Sequence, residues 1–403
     1  MLRRWFIGGV LATLVVALVP AASAGAAQQR AGYVVVLKGS AGSAEVVARR
    51  HAGRFGASVT HVYRNALSGY SATLSPGRVA ALRADPGVAA VVPDRTLRIQ
   101  AQTMPTGINR IDGELSSTVS GNGSGDVNVD VAIIDTGIGP NSDLNIVGGT
   151  NCVGGSSFND DNGHGTHVAG TVAARDNVGG VVGVAPGARL YAVKVLNAQG
   201  SGSISQIICG IDWVTARAGT IEVANMSLGG QSFFGSFSGC SSSFDPMHPA
   251  ICRSVQAGVT YAVSAGNSAA NANNFIPATY NEVITVSALA DFNGQPGGGA
   301  AATCRADQDD TFADFSNFGA DVDLIAPGVC IISSAPNGGL ATFSGTSMAS
   351  PHVAGAAALY KSTHPTATPA QVKSALQAAG NLNWNNADDG DSTKERLLNV
   401  DAF

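Results

Sequence analysis

Three short segments hold residues that together suit nucleophilic attack on a carbonyl carbon. Asp135 follows the apolar run of residues 128–134, His164 opens an apolar segment, and Ser347 stands among small residues. A serine hydroxyl becomes a nucleophile when an imidazole accepts its proton and a carboxylate holds that imidazole in the right tautomer. The three residue types are therefore sufficient for acyl transfer, provided that the fold brings them together.

Ser347 lies in a segment that predicts the start of a helix. Residues 343–355 read Phe-Ser-Gly-Thr-Ser-Met-Ala-Ser-Pro-His-Val-Ala-Gly, and the apolar run 353–360 has helical character. Backbone N–H groups at a helix N-terminus lack intrahelical partners, so they favour negative charge and can hold an oxyanion. Gly-Thr-Ser alone is more typical of an ordinary helix cap, and it is the two upstream segments that favour the catalytic interpretation.

The elements around these residues alternate between apolar strands and helices. Strands are expected at residues 128–134, 190–196, 221–226, 259–264 and 283–288, and helices at 164–174, 204–217, 249–257 and after Ser347. This alternation predicts an α/β fold, a mostly parallel doubly wound sheet flanked by helices. In such a sheet a site forms at the carboxyl ends of the strands, where Asp135 would lie.

A smaller unit precedes that sheet. Residues 32–37, 59–63, 70–74 and 88–92 have strand character, and residues 44–55 and 76–84 have helical spacing. The order β-α-β-β-α-β is that of a small ferredoxin-like α+β domain. Residues 95–104 are polar and irregular, and we interpret them as a cleavable linker.

The first residues have the composition of an export signal. Arg3 and Arg4 precede an apolar run at 5–19, followed by Pro20 and the small residues 22–24. This pattern predicts a secretory signal over residues 1–27 and a secreted, extracellular product. A retained membrane anchor is the alternative, but the apolar run is short for a span and no other long apolar segment follows.

The six cysteines fit an exported protein, because their even number allows up to three disulfides. Fifteen pairings are formally open. We favour the local pairs Cys240–Cys252 and Cys304–Cys330, which leaves Cys152 with Cys209. The absence of a Cys-x-x-Cys pair argues against structural zinc.

Charge separates the two units. Residues 31–100 carry a net charge of +6 and residues 101–403 a net charge of −14. Opposite charges favour attraction between the units, and the acidic charge of the larger one argues against a nucleic-acid partner.

Three blocks give the chain a specific resemblance. Asp-Thr-Gly-Ile at 135–138, His-Gly-Thr-His-Val-Ala-Gly-Thr at 164–171 and Gly-Thr-Ser-Met-Ala-Ser-Pro-His-Val-Ala-Gly at 345–355 resemble the signature blocks of the subtilisin-like serine proteases. Their Asp-His-Ser order is the order of that family. The resemblance implies a catalytic domain at 101–403 and an inhibitory, folding-assisting propeptide at 28–100, which would be the protein's own intramolecular inhibitor.

The resemblance also implies roles for individual residues. Ser347 would be the nucleophile, His164 the general base and later acid, and Asp135 the group that orients the imidazole. Asn267, in the block Ser264–Asn267, would donate its amide to the oxyanion beside the Ser347 backbone N–H. Secretion, hydrolysis of protein substrates, self-cleavage just before Ala101 and a monomeric state are the further expectations.

Substrate binding is expected at two glycine-containing edges, since glycine lets another backbone approach closely. By resemblance these are residues 225–230 and the opposing segment Gly200, Ser201 and Gly202. The pocket before the cleaved bond would be lined by Ser227, Leu228, Gly229, Ser264, Ala265 and Gly266. Its small, uncharged walls suggest a broad preference for apolar or aromatic side chains.

A structural calcium site is a further implication of the resemblance. Its oxygen ligands would come from Gln102, Asp143, Arg175, Asn177, Gly179 and Val181. A set of oxygens with a single carboxylate suits Ca²⁺ rather than Zn²⁺. An ordinary Asn-Gly surface turn is the alternative.

Three other functions are open to the same residues. Asp135-Thr136-Gly137 is also the aspartic-protease tripeptide, but no second copy occurs in the chain. His164 and His167 could bind a metal, although the sequence His-Glu-x-x-His is absent. A catalytically silent peptide-binding protein would require the loss of a member of the Asp-His-Ser set, and all three are present.

Overall fold

The computed structural model describes residues 30–94, 102–232, 240, 245–391 and 393–403. Within the whole chain two compact units separate, Met1–Ile99 and Gln100–Phe403. The expected signal segment and the expected cleavage point before Ala101 lie outside the described residues. The boundaries at 27 and 100 therefore stay predictions.

The first unit is a four-stranded antiparallel sheet with two helices. Its strands are β1 (Ala31–Leu37), β2 (Ser58–Tyr63), β3 (Gly69–Leu74) and β4 (Val88–Pro93), and its helices are α1 (Ala44–Phe55) and α2 (Pro76–Arg83). The sheet order β2-β3-β1-β4 confirms the ferredoxin-like prediction. Alternating residues of the central strands, among them Val35 and Tyr70, are fully buried and form its core with both helices.

The second unit contains the remaining elements. The strands are β5 (Asp130–Asp135), β6 (Ile146–Asn151), β7 (Arg189–Lys194), β8 (Val223–Met226), β9 (Gly230–Gln231), β10 (Thr260–Ser264), β11 (Phe275–Ile276), β12 (Ile284–Ala290), β13 (Thr311–Phe312), β14 (Leu324–Pro327), β15 (Ile331–Ser334) and β16 (Leu340–Phe343). The α-helices are α3 (Thr106–Arg110), α4 (His164–Ala173), α5 (Ile204–Thr215), α6 (Met247–Gln256), α7 (Thr346–Thr363) and α8 (Pro369–Ala379).

Seven of these strands form a parallel sheet in the order β6-β7-β5-β8-β10-β12-β14, and β13 joins β12 antiparallel. Apolar clusters cover both faces, one packed around α4 and α7 and the other around α5 and α6. Continuous burial of β5 on both faces explains the four consecutive apolar residues 131–134 between its terminal aspartates. The α/β, mostly parallel architecture is thus confirmed.

Helix α7 runs through the interior of the second unit. Its alanines and Gly355 let neighbouring segments approach closely; a Cβ atom at Gly355 would lie 2.5 Å from Cβ of Val184. Nearly every residue from Met348 to Leu359 is buried. This packing holds the N-terminal end of α7, where Ser347 lies, in a fixed place.

The three disulfides favoured from the sequence are present, Cys152–Cys209, Cys240–Cys252 and Cys304–Cys330. The second of them closes the insertion of residues 231–249, most of which lies outside the described residues. Among the helices that the structure describes, none has the length and apolar character required to span a membrane.

Candidate active site

Asp135 and His164 are hydrogen-bonded to each other at the carboxyl end of the sheet. Asp135 is the last residue of β5 and its side chain is fully buried, while His164 is the first residue of α4. The His164 Nδ1 lies 2.8 Å from Asp135 Oδ1. This bond leaves Nε2 as the nitrogen that can exchange a proton with a substrate or a nucleophile.

The approach of α4 to β5 depends on Gly165. A Cβ atom at this residue would lie 2.2 Å from the carbonyl oxygen of Gly137, so a side chain would push the helix away from the turn after Asp135. The Gly165 N–H instead donates to Thr136 Oγ1 at 2.9 Å. Glycine is therefore required where the two segments meet.

Asp160 fixes the start of α4, a role that the sequence analysis missed. Its Oδ1 accepts hydrogen bonds from Thr136 Oγ1, Asn162 N and Gly163 N, and its Oδ2 accepts from Thr166 N and Oγ1. Burial would raise the pKa of Asp160, but these hydrogen bonds, from Gly163, Thr166 and Asn162, hold it below the ordinary value. The carboxylate thus stays charged and ties the turn after Asp135 to the helix that carries His164.

Two carboxylates near His164 stabilise the charged form of its imidazole. Burial alone would lower its pKa, but the carboxylate of Asp135, through charge and hydrogen bond, and the charge of Asp160 raise it above the ordinary histidine value. The second oxygen of Asp135, Oδ2, is buried and accepts no hydrogen bond from a described residue. The negative charge of Asp135 beside the ring stabilises the imidazolium that proton transfer would create.

Ser347 is the second residue of α7 and is hydrogen-bonded to the segment after β8. Its hydroxyl donates to the Ser227 carbonyl at 3.3 Å, and the Ser227 hydroxyl donates to the Ser347 carbonyl at 2.7 Å. Ser227 also lines a cleft together with His164. The serine hydroxyl is therefore adjacent to the cleft, in a rotamer that directs it to backbone oxygen rather than to the imidazole.

A buried chain of hydrogen bonds holds this arrangement. Asn225 Nδ2 donates to the Ser227 hydroxyl at 2.9 Å, and Asn225 Oδ1 accepts from the Ser350 hydroxyl at 2.8 Å. These hydrogen bonds link the end of strand β8 to the beginning of helix α7. The Asn-Met-Ser sequence at the end of a buried strand was the available signal, since a fully buried asparagine needs partners.

The side chain of Asn267 is oriented by Thr346. Its Oδ1 accepts from the Thr346 N–H at 2.8 Å and from the Thr346 hydroxyl at 2.9 Å. A Cβ atom built at Gly345 would lie 3.5 Å from Asn267 Nδ2 and 3.6 Å from Ser347 N. The two donors expected for an oxyanion therefore lie near one common point beside the nucleophile candidate.

The cleft beside His164 has a volume of about 380 Å³. It brings together both expected substrate edges, and its lining residues are Thr136, Asn162, His164, Leu196, Gly200, Ser201, Gly202, Ile207, Ser227, Leu228 and Gly229. Ser264, Ala265 and Gly266 do not line it. Ser264 ends β10, and the two residues after it are fixed by hydrogen bonds: Asn317 donates to the Ala265 carbonyl at 2.8 Å, and Thr346 accepts from the Gly266 N–H.

His167 and His352 have structural surroundings. His167 is fully buried, its Nε2 donates to the Ile331 carbonyl at 2.9 Å, and its ring stacks on Phe343. Burial lowers the pKa of each histidine to about 4. His164 and His167 direct their bonded nitrogens to different partners, so the metal-binding alternative gains no support.

The residues expected to bind calcium are adjacent to one another. The Gln102 amide lies 2.7 Å from the Arg175 carbonyl and 3.4 Å from the Val181 carbonyl, and the Asn177 amide lies 2.7 Å from Asp143 Oδ1. Asn177 Oδ1 accepts from the Gly179 N–H. Asp143 Oδ2 is buried without a hydrogen-bond partner, and burial raises the pKa of this carboxyl group.

Comparison with known proteins relates each of the two units to a protein family. A family model described as "Subtilase family" matches residues 126–395, and one described as "Peptidase inhibitor I9" matches residues 32–100. Subtilisin DY of Bacillus licheniformis is 42% identical over 307 residues, covering 75% of this chain and 99% of the relative. Subtilisin NAT of Bacillus subtilis subsp. natto is 39% identical over 338 residues, covering 82% and 79%.

The fold also matches a solved structure. The crystal structure of a cold adapted subtilisin-like serine proteinase has a TM-score of 0.57 and is 33% identical in sequence. The match covers 73% of this chain and 97% of that chain. Both architecture and sequence thus lead to the same group of enzymes.

Proposed function

We propose, from the premise that this chain belongs to the subtilase family of serine peptidases, that it is a secreted endopeptidase whose nucleophile is Ser347. The proposal rests on the Asp135–His164 hydrogen bond and on the contact of the Ser347 hydroxyl with Ser227, because His164 and Ser227 line one cleft. The bonds from Thr346 to Asn267, at the start of the same helix, add support. The inhibitor I9 domain ahead of the peptidase domain supports synthesis as a zymogen.

The reaction begins when the Ser347 hydroxyl rotates from the Ser227 carbonyl towards His164 Nε2. His164 accepts the hydroxyl proton as Oγ attacks the peptide carbonyl carbon, and the tetrahedral intermediate collapses as the imidazolium donates that proton to the leaving amine. Water, deprotonated by His164, then attacks the acyl-enzyme ester, and the returning proton regenerates the Ser347 hydroxyl. Asp135 orients the ring throughout and stabilises its charged form.

The oxyanion of each tetrahedral intermediate is held by two donors, Asn267 Nδ2 and the Ser347 N–H. Neither donor has to be repositioned when the oxyanion forms, because Thr346 already fixes the Asn267 amide and helix α7 fixes the Ser347 N–H. In a subtilisin, loss of the asparagine donor lowers kcat by about 10²–10³. We expect a comparable loss for Asn267→Ala.

Protein substrates bind in extended form between the edges Gly200–Ser201–Gly202 and Ser227–Leu228–Gly229. Both edges line the cleft, and the apolar side chains Leu196, Ile207 and Leu228 form its walls. The side chain before the cleaved bond is received beside this cleft, between residues 227–229, which line it, and residues 264–266, which do not. With no charged group in these walls, the preference is broad and favours apolar or aromatic residues.

Calcium stabilises the folded enzyme through Gln102, Asp143, Arg175, Asn177, Gly179 and Val181. The orphaned Asp143 Oδ2 fits a cation, and a Cβ atom at Gly180, whose φ is +70°, would lie 2.2 Å from this oxygen. The Gln102 and Asn177 amides would turn their oxygens towards the ion by exchanging O and N positions, which at Asn177 gives up the hydrogen bond from the Gly179 N–H. Asp143→Asn should remove the protection by calcium against thermal inactivation, and undiminished protection would contradict the site.

Maturation follows from the same site. The signal, residues 1–27, directs export; the propeptide, residues 28–100, inhibits the enzyme; and Ser347 cuts the chain before Ala101. The opposite charges of the two units, +6 over residues 31–100 and −14 over residues 101–403, support their association.

Expression of wild-type and Ser347→Ala chains tests the proposal. The wild type should mature to a product that begins at Ala101 and cleaves a peptide library, mostly after apolar or aromatic residues. The Ser347→Ala chain should remain uncut in a host strain without extracellular proteases. Normal maturation or peptide cleavage by the variant would contradict the role of Ser347.

A further inference from the structure

A loop near the C-terminus carries concentrated negative charge away from the cleft. This acidic loop, defined as residues 386–391 and 393–395, contains Asp388, Asp389, Asp391 and Glu395 against one base, Lys394. It follows Trp384 and leads into the buried segment of residues 397–400, which packs on the sheet. Nothing in the proposed peptidase mechanism uses these residues.

Glu395 is buried without compensation. Only 6% of the residue is exposed, and both carboxylate oxygens lack a hydrogen-bond partner. Two further oxygens of the loop, Asp389 Oδ2 and Asn386 Oδ1, are also buried and unpartnered. Four unsatisfied acceptors from three side chains within ten residues form an unusual concentration, since buried polar atoms in native proteins nearly always find partners.

The nearest basic residues in sequence are engaged elsewhere. The Lys394 ammonium lies 5.4 Å from the centroid of the Trp384 ring, and the Arg396 guanidinium donates to the Gly380 carbonyl at 2.6 Å. Across the described part of the chain, no lysine, arginine or histidine forms an ion pair with an acidic residue of the loop. A buried carboxylate without a counter-charge is costly, so the charge must be neutralised by a proton or by a bound cation.

The position of Glu395 is fixed by its backbone. The Trp384 indole N–H donates to the Glu395 carbonyl at 2.9 Å, and Trp384 itself belongs to a buried apolar cluster with Phe312, Ile325 and Leu397. Burial, followed by the charges of Asp389 and Asp391, raises the pKa of Glu395 to about 8. The negative charges of Asp389 and Asp391 thus add to the cost of ionising Glu395.

We propose that the acidic loop binds a calcium ion through Asn386, Asp389 and Glu395. All the unpartnered atoms are oxygens, and carboxylate and amide oxygens are the ligands that Ca²⁺ takes. The two carboxylates offset the charge of a divalent ion, and water or backbone carbonyls complete its coordination. This site shares no residue with the one around Asp143, so the two sites can be removed separately.

Trp384 provides a reporter for this site, because Tb³⁺ bound in place of Ca²⁺ emits when an adjacent indole is excited. The measurements use the full-length chain carrying Ser347→Ala, which prevents self-digestion. Calcium titration by calorimetry should show binding that persists in Asp143→Asn, and Glu395→Gln should weaken that remaining binding at least ~10-fold. Sensitised Tb³⁺ emission should persist in Asp143→Asn and be lost in Glu395→Gln.

Two controls separate metal loss from misfolding. Trp384→Phe should abolish the emission, while calorimetry should still detect calcium binding, weakened by loss of the indole hydrogen bond to the Glu395 carbonyl. Asp389→Asn, a change at a less buried position, should weaken the same binding if Glu395→Gln does not fold. Absence of calcium binding in Asp143→Asn, or unchanged titrations in both Glu395→Gln and Asp389→Asn, would overturn the proposal and leave Glu395 as a buried neutral acid.

Discussion

Replacing Thr346 by valine should slow catalysis without weakening substrate binding. The Thr346 hydroxyl gives one of two hydrogen bonds to Asn267 Oδ1 and accepts the Gly266 N–H at 3.1 Å. Valine keeps the branched shape and removes both interactions. One neutral hydrogen bond contributes about 1 kcal/mol, and complete loss of an oxyanion donor costs about 3–4 kcal/mol. Partial misorientation of the amide should therefore cost about 1–3 kcal/mol, or ~5- to ~150-fold in kcat.

Steady-state hydrolysis of a chromogenic peptide measures this effect, and Thr346→Ser is the matched control. Serine retains the hydroxyl, so its kcat should stay within about threefold of the wild type, with KM little changed in both variants. If Thr346 acts through Asn267, Thr346→Val should have almost no further effect in an Asn267→Ala background. The role of Thr346 would be contradicted if kcat of the double variant fell by the product of the two single-variant factors. A change in KM with kcat unaltered would contradict it as well.

Three further variants test how the site is positioned. In Asp160→Asn a negative charge near His164 disappears, so the imidazole pKa should fall and the acidic limb of kcat/KM should move to lower pH; an unmoved limb would contradict the role of Asp160. Gly165→Ala should cost at least ~100-fold in kcat, because its methyl group would separate His164 from Asp135, and near-normal turnover would show that the backbone can yield. Ser350→Ala should lower the free energy of unfolding by about 1–3 kcal/mol, since Asn225 Oδ1 loses its donor, and urea unfolding in a Ser347→Ala background measures it.

Strong periodicity made most of the fold predictable from the sequence. Helix α1 was predicted with the bounds Ala44–Phe55, and β5, α4, β7, β8, β10 and β12 were each predicted to within a few residues. Strand β6 was missed because it contains Gly148 and Gly149, which have low strand propensity. A Cβ atom at Gly149 would lie 2.2 Å from the Ala192 carbonyl, so the close approach of β7 requires this glycine.

The short C-terminal strands β14, β15 and β16 also escaped prediction, since four residues give too little periodicity and β14 ends in Pro327. Helix α8 was missed although its signal is present. Thr368 and Gln371 form a capping box with Pro369 at the first helical position, as the pattern Thr-Pro-Ala-Gln indicates.

The site could be predicted only as far as its motifs extend. Asp135, His164, Ser347 and Asn267 each lie in a recognisable block, and the structure brings them to one end of the sheet. The residues that position them could not be identified, because their partners are distant in sequence. Asn317, for example, holds the segment of residues 265–270 from a position about fifty residues away. Its Nδ2 donates to the Ala265 carbonyl, and its Oδ1 accepts from the N–H groups of Ser268 and Ala270.

The rate at which a serine-directed phosphonate labels the enzyme, measured against pH, tests the central claim most directly. We expect a single adduct on the Ser347 hydroxyl, forming faster as pH rises through a value above the ordinary histidine pKa, because the neutral His164 must accept the proton. Labelling should be lost in His164→Ala and slowed in Asp135→Asn. An adduct on another residue, or a labelling rate that is the same in wild type and His164→Ala, would contradict the account.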